Sequence, residues 1–199
     1  MKGQNILIAG VGGQGVVLAG NILGETALAD GYDVKKTDTL GMAQRGGSVV
    51  SHLRFAEKVY SPLIRRGQAD MIIAFEKLEA ARWSHYLKPG GLIIINNLAL
   101  PPLSVSVGND QYPDDSSLIR AMRTFTDNIH IIDGSRRAWE LGNSRLLNTF
   151  ILGYGSLFLP LKVETIKETI SWRLKPKLVK MNHDAFEAGR REKPLQVAV

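Results

Sequence analysis

Cysteine is absent from the 199 residues. The chain therefore forms no disulfide and cannot ligate an iron–sulfur cluster through thiolates. Aromatic residues are few, at 7%. None interleaves with the basic pairs Arg65-Arg66, Arg136-Arg137 and Arg190-Arg191, so the stacking platforms of RNA-binding proteins are not indicated. The histidines His52, His85, His130 and His183 lack the spacing of zinc ligands. Gly41-Met42-Ala43 is not a nucleophile elbow. No apolar run approaches the roughly 18 residues of a membrane span; the most apolar stretch, 146–161, contains Asn148, two glycines and Pro160. Met1-Lys2-Gly3-Gln4-Asn5 passes straight into apolar residues, so no secretory signal is expected. These absences predict a cytoplasmic chain with neither nucleic acid nor membrane as partner and with no metal site of its own.

What is present fits one domain spanning 1–199. A chain of this length buries roughly 70% of its unfolded surface, and 44% hydrophobic residues supply the core. The net charge of +6 is spread along the chain rather than gathered in an arm. That distribution suits an acidic protein partner or an anionic ligand.

The strongest signal is Gly10-Val11-Gly12-Gly13-Gln14-Gly15, directly after the apolar Ile6-Leu7-Ile8-Ala9. A helix of small and apolar residues follows, from about Gln14 to Asp30. Strand, glycine turn and helix in this order aim backbone N–H groups and a helix N-terminus at an anion. Gly10 keeps the turn tight, Gly12 lets a phosphate approach, and Gly15 lets the helix pack on the sheet. A dinucleotide site also needs an acid at the end of the next strand, about 20 residues on. That strand, near 32–37, holds Asp33 and leads to Asp38, with Lys35 and Lys36 between. These charges either hold a ribose or phosphate or are ordinary strand-end charges. Gly20 and Gly24 share one face of the helix and mark a close packing contact.

The alternation from Ser48 to Phe55 predicts a strand, paired through a turn at Ala56-Glu57 with Lys58-Val59-Tyr60 as an antiparallel hairpin. No crossover helix is visible between Thr37 and Ser48, so the order departs from a plain dinucleotide fold. Buried strands are expected at 71–75, 92–95 and 129–132, with a short strand at 104–107. Helices are expected at 76–87, from a cap at Asp115 or Ser116 to about 126, at 135–158 with a break at Asn143 or Gly153, at 162–174 and at 176–190. The fold class is α/β: a Rossmann-like three-layer domain with a mostly parallel sheet, an antiparallel hairpin insertion and a helical C-terminal region.

The loop Gln44-Arg45-Gly46-Gly47-Ser48 has its own chemistry. Arg45 offers a planar fork for phosphate or carboxylate, and Gly46 and Gly47 admit backbone close to whatever it holds. Alternatively, the glycines make a tight entry into the strand and Arg45 a structural ion pair. Asn148, on an apolar helix, reaches either the glycine turn, a ligand or a buried cap. His52, among polar neighbours on a strand, reads as a satisfied structural histidine. Trp83, Trp139 and Trp172 read as core or interface anchors.

Three segments together resemble one family: Gly10–Gly15, Gly41–Arg54, and Leu141-Gly142-Asn143-Ser144-Arg145-Leu146-Leu147-Asn148. They are similar to the gamma subunit, or gamma domain, of 2-oxoacid:ferredoxin oxidoreductases, with the beta subunits of the indolepyruvate branch as the nearest likeness. The resemblance runs from about Gln4 to Gly189. One position departs: Leu40 stands where related indolepyruvate subunits often carry histidine. The resemblance implies oxidative decarboxylation of a 2-oxoacid on thiamine diphosphate, with electrons passed through iron–sulfur clusters to ferredoxin. It implies that thiamine diphosphate, magnesium and the 4Fe–4S clusters sit on larger partner subunits, and that this chain alone is inert. Gly10, Gly12, Gly13, Gln14, Gly15, Gln44, Arg45, Gly46, Gly47, Ser48 and Asn148 then line a shared thiamine or coenzyme A cleft, with no catalytic residue on this chain. The alternative is a stand-alone NAD(P)-binding oxidoreductase.

Overall fold

The computed structural model describes residues 3–40, 46–108 and 110–196. In chain order the elements are β1 (Gln4–Val11), α1 (Val16–Ala29), β2 (Asp33–Leu40), β3 (Ser48–Ala56), β4 (Ala69–Ala74), α2 (Lys77–Trp83), β5 (Leu87–Asn96), α3 (Leu103–Ser106), α4 (Asp115–Arg123), β6 (Ile129–Ile132), α5 (Gly134–Glu140), α6 (Leu147–Gly155), α7 (Val163–Arg173) and α8 (Pro176–Arg191). Among the described residues no helix is long and apolar enough to cross a membrane.

Six strands form one sheet in the order β2-β3-β1-β4-β5-β6. β1 is parallel to β4, β4 to β5 and β5 to β6, while β3 runs antiparallel to both its neighbours, β1 and β2. The central strands β1, β4 and β5 are buried on both faces over their apolar runs, as near-continuous apolar strands require, whereas the edge strand β2 is charged and half-buried. Ile6, Ile8, Met71, Ile73 and Ile94 point to the side covered by α1, α6, α7 and α8, where Leu23, Phe150, Ile170 and Phe186 meet them. Leu7, Ala9, Ile72, Ile93 and Ile95 point to the other side, covered by Ala80 of α2 and Leu118 and Met122 of α4. This is the expected three-layer α/β arrangement.

The antiparallel element is present, but its hairpin partner differs from the expected one. Residues 58–60 are not a strand. β3 pairs with β2 on one side, from Asp33↔Ala56 to Leu40↔Val49, and with β1 on the other, from Gln4↔Phe55 to Val11↔Ser48. Both edges of β3 are used, so nothing is left for 58–60 to bond. Close packing of α1 on β3 explains the two helix glycines. A Cβ on Gly20 would lie 2.6 Å from Ser51 Oγ, and one on Gly24 would lie 3.3 Å from Leu53 Cδ1.

Other boundaries shift for local reasons. Residues 103–106 are helical rather than extended, because Ser106 N–H donates to Pro102 C=O at 3.1 Å. Asp114, one residue before the expected cap, accepts from Ser117 N–H at 2.7 Å and starts α4. The helix expected at 76–87 ends at Trp83 in a short 3-10 turn, and Lys88-Pro89-Gly90-Gly91 belong to an irregular start of β5. The break near 143 is real: Gly142 has φ +91°, and the Asn143 side chain accepts from Arg145 N–H at 3.0 Å. Pro176 opens α8, whereas Pro160 lies outside α7. Trp139 and Trp172 are 77% and 71% exposed and serve no core. Residues after α8 turn back onto β6, where Leu195 N–H donates to Ile131 C=O at 2.7 Å.

His52 is structural. Its Nδ1 accepts from Ile64 N–H at 3.2 Å, and its ring meets Tyr86 edge-on. Burial lowers its pKa below the ordinary 6.5, against a smaller opposing pull from Asp38. Burial lowers that of His130 as well. The unfolded chain therefore takes up protons that these folded imidazoles refuse, and stability is expected to fall as pH drops from about 7 through 6.5 toward 5. Urea melts across that range check the slope, and His52→Gln is expected to reduce it.

α6 and α8 touch backbone to backbone. A Cβ on Gly153 would overlap Phe186 C=O, and one on Gly189 would overlap Phe150 C=O. Thr149 Oγ donates to Asn182 Oδ1 at 2.6 Å across the same seam. Gly189→Ala is expected to destabilise the fold by about 1–3 kcal/mol, the usual range for overpacking, measured by thermal or denaturant unfolding.

Candidate functional site

The glycine turn leaves β1 at its C-terminal end, and β2 ends and β3 begins at the same edge of the sheet. Ligands of open α/β sheets bind along this edge. The two segments are joined directly: Gly12 N–H donates to Gly47 C=O at 2.8 Å. This bond makes Gly12 and Gly47 neighbours, while the cleft described below is lined by Gly13, Gln14 and Gly15 and not by Gly46, Gly47 or Ser48. Gln44 and Arg45 lie outside the described residues.

Several turn groups are committed to the protein itself. Gln14 Oε1 accepts from Val11 N–H at 2.7 Å, and its Nε2 donates to Phe75 C=O at 3.1 Å. Gln14 N–H donates to Val11 C=O at 3.0 Å. Gly10 must be glycine because a Cβ would lie 2.8 Å from both Gln14 Oε1 and Val16 Cγ2. Gly12 spends its N–H on Gly47, not on a phosphate. Gly15 has φ +83°, and a Cβ there would strike the Asn148 amide. The close neighbour at Gly15 is thus a side chain of α6 rather than the sheet, a correction to the expected role.

What remains open faces a cleft of about 490 Å³, lined by Gly13, Gln14, Gly15, Leu18, Leu98, Leu100, Ser135, Ser144, Arg145, Leu147 and Asn148. Gly13, at φ +102°, has nothing within 4 Å of a would-be Cβ. No side chain caps α1, and its first turn carries no acid. Its leading N–H groups and positive dipole end are left for a ligand. Arg145 is exposed at the rim and has no ion-pair partner among the described residues. Asn148 is only 9% exposed. Its Nδ2 donates to Gln14 C=O at 2.7 Å, while its buried Oδ1 has no partner. A buried acceptor without a donor is costly, about 1–3 kcal/mol. The set suits an extended ligand carrying an anionic group, a hydrogen-bond donor for Asn148 and an apolar stretch for the leucines.

A second cluster, missed in the sequence, braces the loop entry. Glu79 on α2 is 4% exposed. It accepts from Ser48 Oγ, from Trp83 Nε1 at 3.2 Å and from Arg82 Nε at 3.0 Å. Glu76, 1% exposed, caps α2 through Glu79 N–H at 2.9 Å and accepts from Leu100 N–H at 3.1 Å and from Tyr112. Burial, reinforced by the Glu76 carboxylate, drives the Tyr112 hydroxyl well above the ordinary phenol range. The available signal was position: Glu76 follows Phe75, just past the end of an apolar parallel strand. Ser48 is therefore held by the protein and does not face the cleft as a free hydroxyl.

The charges of β2 pair with one another. Lys35 meets Asp33 at 2.7 Å and Lys36 meets Asp38 at 2.6 Å. β3 separates β2 from β1, which puts the end of β2 about 10 Å from β1, two strand spacings away. An acid at that end is out of place for the ribose of a dinucleotide on the glycine turn. Asn96, by contrast, ties the strand ends together, donating to Phe75 C=O at 3.0 Å and to Ser135 Oγ at 2.9 Å.

Comparison with known proteins gives one consistent answer. The family described as pyruvate ferredoxin/flavodoxin oxidoreductase matches residues 5–192. The chain is 41% identical over 192 residues to indolepyruvate oxidoreductase subunit IorB of Thermococcus kodakarensis, covering 95% of each. Its fold is similar to that of the keto/oxoacid ferredoxin oxidoreductase gamma subunit of Geobacter sulfurreducens PCA, with TM-score 0.68, 22% identity and coverage of 94% and 95%. It is similar also to part of a 2-oxoglutarate:ferredoxin oxidoreductase of Magnetococcus marinus, solved with 2-oxoglutarate, coenzyme A and succinyl-CoA bound; the TM-score is 0.73 at 22% identity, and the match covers 100% of this chain and 33% of that one. The inserted strand, the glycine turn fastened to it and the match over nearly the whole chain lead to one assignment: the chain belongs to the pyruvate ferredoxin/flavodoxin oxidoreductase family, as a subunit of a 2-oxoacid:ferredoxin oxidoreductase.

Proposed function

We propose that residues 1–199 act as one gamma-type domain that closes a wall of the thiamine and coenzyme A cleft in oxidative decarboxylation of a 2-oxoacid. Indolepyruvate is the candidate substrate, by the name of the 41% identical relative. The observation that carries this reading is the buried, unpartnered Asn148 Oδ1 beside the uncapped end of α1. Coenzyme A has the three features the cleft suits: phosphates, amide N–H groups and an extended arm. The α1 N-terminus and Arg145 would take phosphate oxygens. Asn148 Oδ1 would accept from an amide or hydroxyl, and Leu18, Leu98, Leu100 and Leu147 would flank the arm. Coenzyme A supplies the thiol that carries the acyl group away. The bound coenzyme A of the Magnetococcus protein supports the same ligand.

Thiamine diphosphate, magnesium and the 4Fe–4S clusters belong on larger partner chains, with ferredoxin as the electron acceptor of the complex. The zero cysteine count agrees with that division. This chain's residues orient and enclose; alone it is inert and cytoplasmic in this reading. A stand-alone NAD(P) enzyme is disfavoured by the place of β3, which removes the ribose-binding acid from reach.

Co-expression with the large thiamine- and cluster-bearing chain tests the reading. The complex is expected to form stably, and Arg145→Ala is expected to raise KM for coenzyme A about tenfold, the effect of losing one charged hydrogen bond, with assembly unchanged. Full activity of the large chain without this subunit would reject the assignment, and an unchanged KM would reject the ligand site. Titration of the purified chain with NADH is expected to give no fluorescence change.

A further inference from the structure

The pole of the sheet opposite the glycine turn carries a built, outward-facing loop that the proposed cleft does not use. Seven residues of β1, about 23 Å at the usual strand rise, separate Asn5 at this pole from Gly12 at the other. The loop joins β3 to β4 and is pinned at both ends. Val59 is 5% exposed and its N–H donates to Asp33 Oδ2 at 3.0 Å. Ile64 is 4% exposed and its N–H donates to His52 Nδ1 at 3.2 Å. Between these anchors the chain arches outward as Tyr60-Ser61-Pro62-Leu63. Arg54 fixes the arch from beneath. Its Nη1 donates to Ser61 C=O at 2.9 Å and more distantly to Leu63 C=O at 3.4 Å, and its Nε donates to Asn5 Oδ1 at 2.8 Å.

This bracing holds apolar groups in water. Tyr60 is 89% exposed and Leu63 is 57% exposed. They rim a groove of about 680 Å³ that also carries Arg54, Lys58 and Arg65. The positive charge there is poorly neutralised. Arg54 is bonded to uncharged oxygens, and Lys58 meets only Asp33, at 3.8 Å, which Lys35 shares. Arg65 and Arg66 are exposed, without an ion-pair partner among the described residues. Glu57 is the opposing exposed acid on the loop. A fixed aromatic and a leucine ringed by cations have the make-up of an interface hot spot.

We propose that this groove docks an acidic segment of a protein partner, whose carboxylates meet Lys58 and Arg65 and whose apolar side chain packs on Tyr60 and Leu63. A second copy of this chain is a poor occupant, because the same cations would face each other. The proposal concerns a different pole from the candidate cleft and stands whether or not coenzyme A binds there.

The test uses the purified full chain and a fluorescein-labelled, glutamate-rich 12-residue peptide containing one leucine and one tyrosine, followed by anisotropy. Binding is expected to weaken at least tenfold in the Lys58→Glu/Arg65→Glu double variant and severalfold in Tyr60→Ala, with thermal melting unchanged in both. Affinity is also expected to drop on raising salt, as for exposed charges. Binding unaffected by the double variant would overturn the proposal. So would equal binding of a lysine-rich control peptide, full displacement of the peptide by millimolar inorganic phosphate, or tighter binding of single-stranded DNA to the same residues.

Discussion

Everything at the candidate site depends on one strand lying where a plain dinucleotide fold has none. β3 fills the slot between β1 and β2 and bonds to both. Its first residues therefore emerge beside the glycine turn, and Gly47 C=O receives Gly12 N–H. The same insertion brings Ser51 and Leu53 up against α1, which is why that helix carries Gly20 and Gly24. It also moves the charged end of β2 away from the turn. One topological change thus closes the turn, thins the helix and removes the ribose acid together.

The consequence for chemistry is a division of labour among polar groups. Gln14, Gly12, Ser48, Glu76, Glu79 and Asn96 are all engaged in holding strand ends and loop entry in place. Among the described residues of the cleft, the leading amides of α1, Arg145 and the buried Asn148 Oδ1 are left without a protein partner. Among the described residues that line the cleft there is no carboxylate, histidine, cysteine or lysine.

Much of this was legible in the sequence, for identifiable reasons. Continuous apolar runs and the glycine spacing placed β1, α1, β4 and β5, since buried parallel strands and tight turns write strong local signals. The antiparallel character of Ser48–Ala56 was readable from its alternation. Its partner was not, because pairing is decided by which edges are free in three dimensions; the turn-like Ala56-Glu57 was a misleading local cue. Residues 104–107 misled similarly, with the β-branched Val105 and Val107 reading as strand where Pro102 starts a short helix. The roles of Gly12 and Gly15 shifted because their neighbours, Gly47 and Asn148, are 35 and 133 residues away in sequence. Glu76 and Glu79 went unread because buried carboxylates on a helix start look like ordinary surface charge until burial is known.

β2 ends the sheet on one side, with its outer edge unpaired among the described residues. Its side chains include two acids flanking two lysines, Asp33, Lys35, Lys36 and Asp38, locked in two ion pairs along the strand itself. An uncharged edge of eight residues would be a template for strand addition between copies. Here an incoming strand must desolvate or break those pairs. The strand most exposed to amyloid-like stacking thereby carries its own protection against it.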